Sequence, residues 1–88
     1  MDIKGKVAVI TGGASGLGRA TAEMIIANGG RVAIFDLNED LANTAAKELG
    51  DAKAYQVNVT DDASVSAAVA QVQEDFGAIH INVNCAGI

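Results

Sequence analysis

The chain has 88 residues, half of them apolar, with 17 alanines, three aromatic side chains and a net charge of −5. That length allows a single domain of modest core, and the small side chains predict an interior of closely approaching backbones. Six scattered basic residues exclude the basic patch that a nucleic acid or an anionic membrane surface requires, and no apolar run reaches the roughly 18 residues of a membrane span.

With no charged-then-apolar leader either, the chain reads as soluble and cytoplasmic. The lone Cys85 cannot form an internal disulfide, and with one histidine, His80, a structural metal site is not expected. Both read as ordinary structural residues.

The first apolar run, residues 7–10, is rich in β-branched side chains and lacks alternation, as a strand buried on both faces should. A glycine-rich stretch follows, Thr11-Gly12-Gly13-Ala14-Ser15-Gly16-Leu17-Gly18, and opens a helix whose inward face is expected at Leu17, Ala20, Thr21, Met24 and Ile25. Gly29 and Gly30 stop that helix. The second strand, residues 31–35, ends at Asp36. Asn38 then caps a helix carrying Leu37, Leu41, Ala45 and Leu49 on one face, stopped by Gly50.

The third strand is expected at residues 54–59. Asp61 or Thr60 caps the third helix, in which Val65, Ala68, Val69, Val72 and Phe76 share a face before Gly77 ends it. Residues 79–83 form the fourth strand. The order is β-α-β-α-β-α-β without linker, proline or low-complexity segment. Short strand–helix–strand spacing requires right-handed crossovers and a parallel sheet. The expected fold is therefore α/β, a Rossmann-type sheet of strand order 3-2-1-4 over residues 1–88, with two helices on one face and the third on the other.

The glycine stretch lies at the carboxyl end of the first strand and the amino end of the first helix, where unpaired N–H groups and the helix dipole attract phosphate. A nucleoside-triphosphate loop needs Lys-Ser or Lys-Thr after its last glycine, but Gly18 is followed by Arg19-Ala20. The G-x-G-x-x-G fingerprint also fails, because Thr21 stands where the third glycine belongs. What remains is G-x-x-x-G-x-G at Gly12, Gly16 and Gly18, which can turn the chain, admit a phosphate and let the helix approach the sheet. Asp36 stands 18 residues beyond Gly18. A carboxylate there can accept hydrogen bonds from the ribose hydroxyls of adenosine and repels a 2′-phosphate, which favours NAD over NADP.

These motifs, with Asn58-Val59-Thr60-Asp61 and Asn84-Cys85-Ala86-Gly87, resemble the short-chain dehydrogenase/reductase family along the whole chain. The resemblance implies an oxidoreductase that transfers a hydride between NAD(H) and a small-molecule alcohol or ketone. It also implies that Ser15 and Leu17 meet ribose and phosphate groups, Asp36 the ribose hydroxyls, Asn58 and the Val59 backbone the adenine, that Asn84, Cys85, Ala86 and Gly87 complete the adenosine pocket, and that Leu37 belongs to the cofactor site. Where the family usually has Asp, this chain has Asn58, whose amide is expected to accept from the adenine amino group without charge assistance. The N-C-A-G variant with T-G-G-A-S-G-L-G looks most like the type 2 3-hydroxyacyl-CoA dehydrogenase branch.

Family members are longer and carry a catalytic Ser and a Tyr-x-x-x-Lys pair. The only tyrosine here, Tyr55, has no Lys four residues on and reads as a packing residue. The chain is thus expected to be the cofactor-binding portion of a longer enzyme, inactive alone. Its exposed fourth strand is expected to promote self-association, and the resemblance implies a homo-oligomeric parent. A non-catalytic nucleotide-binding or structural α/β unit is the alternative.

Overall fold

The computed structural model describes residues 2–14 and 16–85. Four strands, β1 (Val7–Thr11), β2 (Arg31–Asp36), β3 (Ala52–Gln56) and β4 (Ile81–Asn84), alternate with three helices, α1 (Gly16–Ala27), α2 (Glu39–Leu49) and α3 (Asp62–Phe76). All three strand pairings are parallel, in the order β3-β2-β1-β4. The expected Rossmann-type α/β topology is what the chain adopts.

The two inner strands explain the unalternated apolar runs. Ala8, Ile10, Val32 and Ile34 point to the face covered by α1 and α2, while Val7, Val9, Ala33 and Phe35 point to the face covered by α3. Every one of these residues is buried. Burying each Val, Ile or Phe side chain stabilises the fold by about 1.5–3 kcal/mol, so the inner strands carry the hydrophobic driving force. On the α3 face the Phe35 and Tyr55 rings meet edge to face at 5.8 Å, and the Arg31 guanidinium lies 4.5 Å over the Phe76 ring.

Helix boundaries follow the capping chemistry. The Asn38 side chain accepts from the Leu41 N–H, and that of Asp61 from the Ala63 and Ser64 N–H groups, so each fills donors that the helix leaves unpaired. Asp61, not Thr60, is the cap of α3. At the other ends Gly50 and Gly77 take positive φ and donate back to Ala46 and Gln73.

The helix faces differ from expectation in two of three cases. In α1 the buried stripe is Gly18, Ala22 and Ile25, while Leu17 and Met24 are exposed; in α2 it is Ala42, Ala45 and Ala46, while Leu37 and Leu41 are exposed. Small residues win the inward positions because they let helix and sheet backbones approach, which a leucine stripe would prevent. The α3 face is as expected, with Ala68 and Val72 buried and Val65, Val69 and Phe76 half-buried.

Two strands are displaced from their expected limits. β3 begins two residues early and ends at Gln56, since the Asn58 carbonyl accepts from the Asp61 N–H and turns the chain out of the sheet. β4 begins two residues late, at Ile81, and at the preceding residue the His80 side chain, not a strand carbonyl, accepts from the Val7 N–H through Nδ1.

Candidate functional site

At the carboxyl end of the sheet a cleft of about 430 Å³ opens between β1, β2 and the chain that leaves β3. One wall is the glycine loop with Gly12, Gly16, Leu17 and Gly18. The opposite wall is Phe35, Asp36, Leu37, Val57 and Val59, and Cys85 completes the lining.

The loop owes its shape to two close constraints. Gly12 turns the chain directly after β1 with φ +70°, its N–H donating to the Phe35 carbonyl at 2.7 Å. Gly18, buried in the first turn of α1, has the backbone of Gly12 and Gly13 so near that a Cβ would collide with the Gly12 carbonyl. The helix therefore begins pressed onto the loop. α2 and α3 each have acidic residues in their first turn, but α1 has none, so the positive end of its dipole faces the cleft without a carboxylate of its own.

Across the cleft, Asp36 closes β2. Its Oδ1 accepts from the Asn38 N–H at 3.0 Å, which fixes the carboxylate and leaves a second oxygen for a ligand. Leu37 is 65 % and Leu17 76 % exposed, unusual for leucine, and both stand on the rim with the half-open Val59. The Leu37 carbonyl accepts from Gln56 Nε2 at 3.4 Å, tying the rim to β3.

Of the residues singled out in the sequence, Gly12, Gly16, Leu17, Gly18, Asp36, Leu37, Val59 and Cys85 converge on this cleft. Ser15, Ala86 and Gly87 lie outside the described residues. Asn84 is not in the lining; its Oδ1 accepts from Thr11 Oγ1 at 2.9 Å, while the Cys85 N–H donates to the same hydroxyl at 3.1 Å, so these residues join β4 to β1. Asn58 also stands outside the lining. Its Oδ1 accepts from the Thr60 N–H at 3.0 Å and from the Thr60 hydroxyl at 2.6 Å.

Sequence reasoning missed Phe35 and Val57, each 1 % exposed, as floor of the cleft. Their positions beside Asp36 and Asn58 were the available signal. Tyr55 lies away from the cleft on the α3 face, where its hydroxyl donates to Asp75 Oδ2 at 2.7 Å. Burial, and then this bond to a carboxylate, push the phenol well above its ordinary value, so it holds its proton. No group of three or more metal-ligating side chains occurs among the described residues, and none of their helices is long and apolar enough to cross a membrane.

A parallel sheet with a glycine loop and a helix amino end on one side of the switch between β1 and β4, and a carboxylate at the end of β2, defines a dinucleotide-binding class of α/β protein. The chain belongs to the short-chain dehydrogenase family, whose model matches residues 6–88. It is 48 % identical over 86 residues to the 3-hydroxyacyl-CoA dehydrogenase type-2 of Drosophila melanogaster, covering 97 % of this chain and 34 % of that protein. It is 45 % identical to the sorbitol dehydrogenase of Cereibacter sphaeroides, covering 100 % of this chain and 35 % of the relative. Among solved structures, the 3-ketoacyl-(acyl-carrier-protein) reductase of Brucella melitensis complexed with NADH superposes with a TM-score of 0.88 at 37 % identity, over 91 % of this chain and 33 % of the reductase. The chain thus spans about a third of the length of the relatives it matches.

Proposed function

We propose that these residues form the NAD(H)-binding portion of a short-chain dehydrogenase acting on an alcohol/ketone pair. The observation that carries this reading is the pairing of an uncompensated helix amino end at Gly16–Gly18 with the Asp36 carboxylate across one cleft, a positive wall for a pyrophosphate and an acceptor for ribose hydroxyls. The turn at Gly12 and the close approach of Gly18 to its backbone set the amino end of α1 against the cleft. Ser15, Gly16 and Leu17 would hold the phosphates and adjoining ribose, and Leu37 and Val59 would cover the base. Asn58, Asn84, Cys85, Ala86 and Gly87 would bound its adenosine end.

Bound there, NAD supplies a hydride acceptor for a carbinol carbon. The reaction also needs a proton acceptor at the carbinol oxygen. Tyr55 does not supply it, since its hydroxyl donates to Asp75 and the residue does not line the cleft. We assign that role to a Ser and a Tyr-x-x-x-Lys set beyond these 88 residues. The 3-hydroxyacyl-CoA class is the first substrate to test, given the Drosophila relative. A sorbitol dehydrogenase matches nearly as well, as expected if this portion selects the cofactor and another portion the substrate. A homo-oligomeric, cytoplasmic parent belongs to the same reading.

Calorimetric titration with NAD, NADP and ATP tests the proposal. NAD should bind more tightly than NADP, and Asp36→Ala should weaken NAD about tenfold or more by removing charge-assisted hydrogen bonds. Preference for ATP, or binding indifferent to Asp36, would overturn it.

A further inference from the structure

We infer that the free edge of β3, set between the amino-terminal halves of α2 and α3, is a docking groove for an extended peptide in which basic residues alternate with apolar ones. The inference is independent of the nucleotide cleft and of the chemistry proposed for it.

The phase of the β2–β3 ladder fixes which backbone groups of β3 stay unpaired. At its start the Val32 N–H donates to the Asp51 carbonyl at 3.0 Å, and just past its end the Val57 N–H donates to the Asp36 carbonyl at 3.0 Å. Along a paired strand, residues bonded to the neighbour alternate with residues that face away from it. Lys53 and Tyr55, in phase with Asp51 and Val57, therefore turn to β2, while Ala52, Ala54 and Gln56 present their N–H and C=O groups outward. No bond outside the ladder engages the Ala54 backbone among the described residues. Such an edge is a template for another strand.

The edge is recessed. A cavity of about 430 Å³ is lined by Glu39 and Asn43 from α2, Ala54 and Gln56 from β3, and Ala67 and Ala68 from α3. Because α2 and α3 cover opposite faces of the sheet, a cavity that touches both lies at the β3 edge with one helix on either side. The three alanines keep it open.

The two walls differ, and that difference selects the occupant. Side chains of an added strand point alternately to its two sides. Those on the α3 side meet Ala67 and Ala68, which suits apolar residues; those on the α2 side meet Glu39, with Asp40 next to it in the first turn, which suits Lys or Arg. Neither carboxylate has an ion-pair partner among the described residues, and the cation of β3 itself, Lys53, is engaged by Asp75 at 3.2 Å. A second copy of this chain suits the groove less well, since it carries a net charge of −5 and its own β3 is flanked by helices. A separate basic segment has neither handicap.

Fluorescence anisotropy with a labelled synthetic peptide of alternating Lys and Val, about seven residues long so as to span β3, tests the inference. The chain should bind it, and the same peptide with Glu in place of Lys should bind at least about tenfold more weakly. Only one set of residues in an added strand turns its N–H groups to the edge. Of two N-methylated forms, one modified on every Lys and the other on every Val, one should therefore lose at least about tenfold more affinity than the other. Ala67→Leu, an exposed change that narrows the groove, should also weaken binding about tenfold with an unaltered melting temperature. Hydrogen exchange should slow at Ala54 and Gln56 when peptide is bound. No binding of the Lys–Val peptide, tighter binding of the Glu form, equal losses from the two N-methylated forms, or protection along β4 instead of β3 would each overturn the inference.

Discussion

His80 exchanges two hydrogen bonds with Val7: its N–H donates to the Val7 carbonyl at 2.9 Å, and its imidazole Nδ1 accepts from the Val7 N–H at 3.0 Å. The ring stands in for the strand carbonyl that would otherwise receive that donor, one residue before β4 begins. Because Nδ1 accepts, the ring hydrogen resides on Nε2. Val7 is only 3 % exposed, so water is a poor substitute partner.

His80→Ala should therefore lower stability by about 1–3 kcal/mol, the cost of leaving a buried donor unpaired. His80→Asn, whose Oδ1 occupies a place similar to Nδ1, should recover much of the loss. Urea midpoints of the two variants check this, and the Val7 amide should show the largest gain in hydrogen-exchange rate in the alanine variant.

A second prediction concerns acid. The Asp75 carboxyl is held below its usual range first by the Tyr55 hydroxyl at 2.7 Å, then by Gln71 Nε2 at 3.1 Å and Lys53 Nζ at 3.2 Å. A depressed carboxylate stabilises the fold above its unfolded value, and that contribution disappears as the pH falls through the folded one. Melting temperature should thus decline on acidification below about pH 4, and Tyr55→Phe should flatten that decline. Thermal melts at stepped pH give the comparison.

How far the sequence disclosed this arrangement depends on the scale of the feature. Strand order and helix placement were legible because β-branched runs, caps and terminal glycines act over a few neighbouring residues. The faces of α1 and α2 were not, because the sequence reading put the largest apolar residues inward. Interaxial space in this sheet is filled by Ala22, Ala42, Ala45 and Ala46, and the displaced leucines Leu17 and Leu37 reappear on the cleft rim. The bonds of the Asn58 amide oxygen to Thr60 were equally out of reach, because residue type alone does not reveal a contact made two residues later.

The rim leucine at position 37 separates binding from folding. With 65 % of its surface exposed, Leu37→Ser should change stability by no more than about 0.5 kcal/mol. If it covers the base, NAD affinity should still fall several-fold. Denaturation and calorimetry on the same variant distinguish the two effects.

Gly18→Ala should do both kinds of harm. The added methyl meets the Gly12 carbonyl, and backbone cannot swing aside as a side chain tip can. A destabilisation of about 1–3 kcal/mol is expected from overpacking, together with lost NAD binding as the loop is forced outward. Gly16→Ala, where a Cβ would meet nothing but the backbone has φ +59°, should cost less in packing.

The alanine stripes beneath α1 and α2 also bear on how such a chain can vary. Ala22, Ala42 and Ala45 have at most 1 % of their surface exposed, so almost any replacement there is larger and pries a helix from the sheet. Replacement by glycine, the one smaller choice, loosens the helix by about 1 kcal/mol. Sequence drift in this fold is therefore confined to the outward helix faces and the connecting turns, and the interior resists exchange through the smallness of its residues.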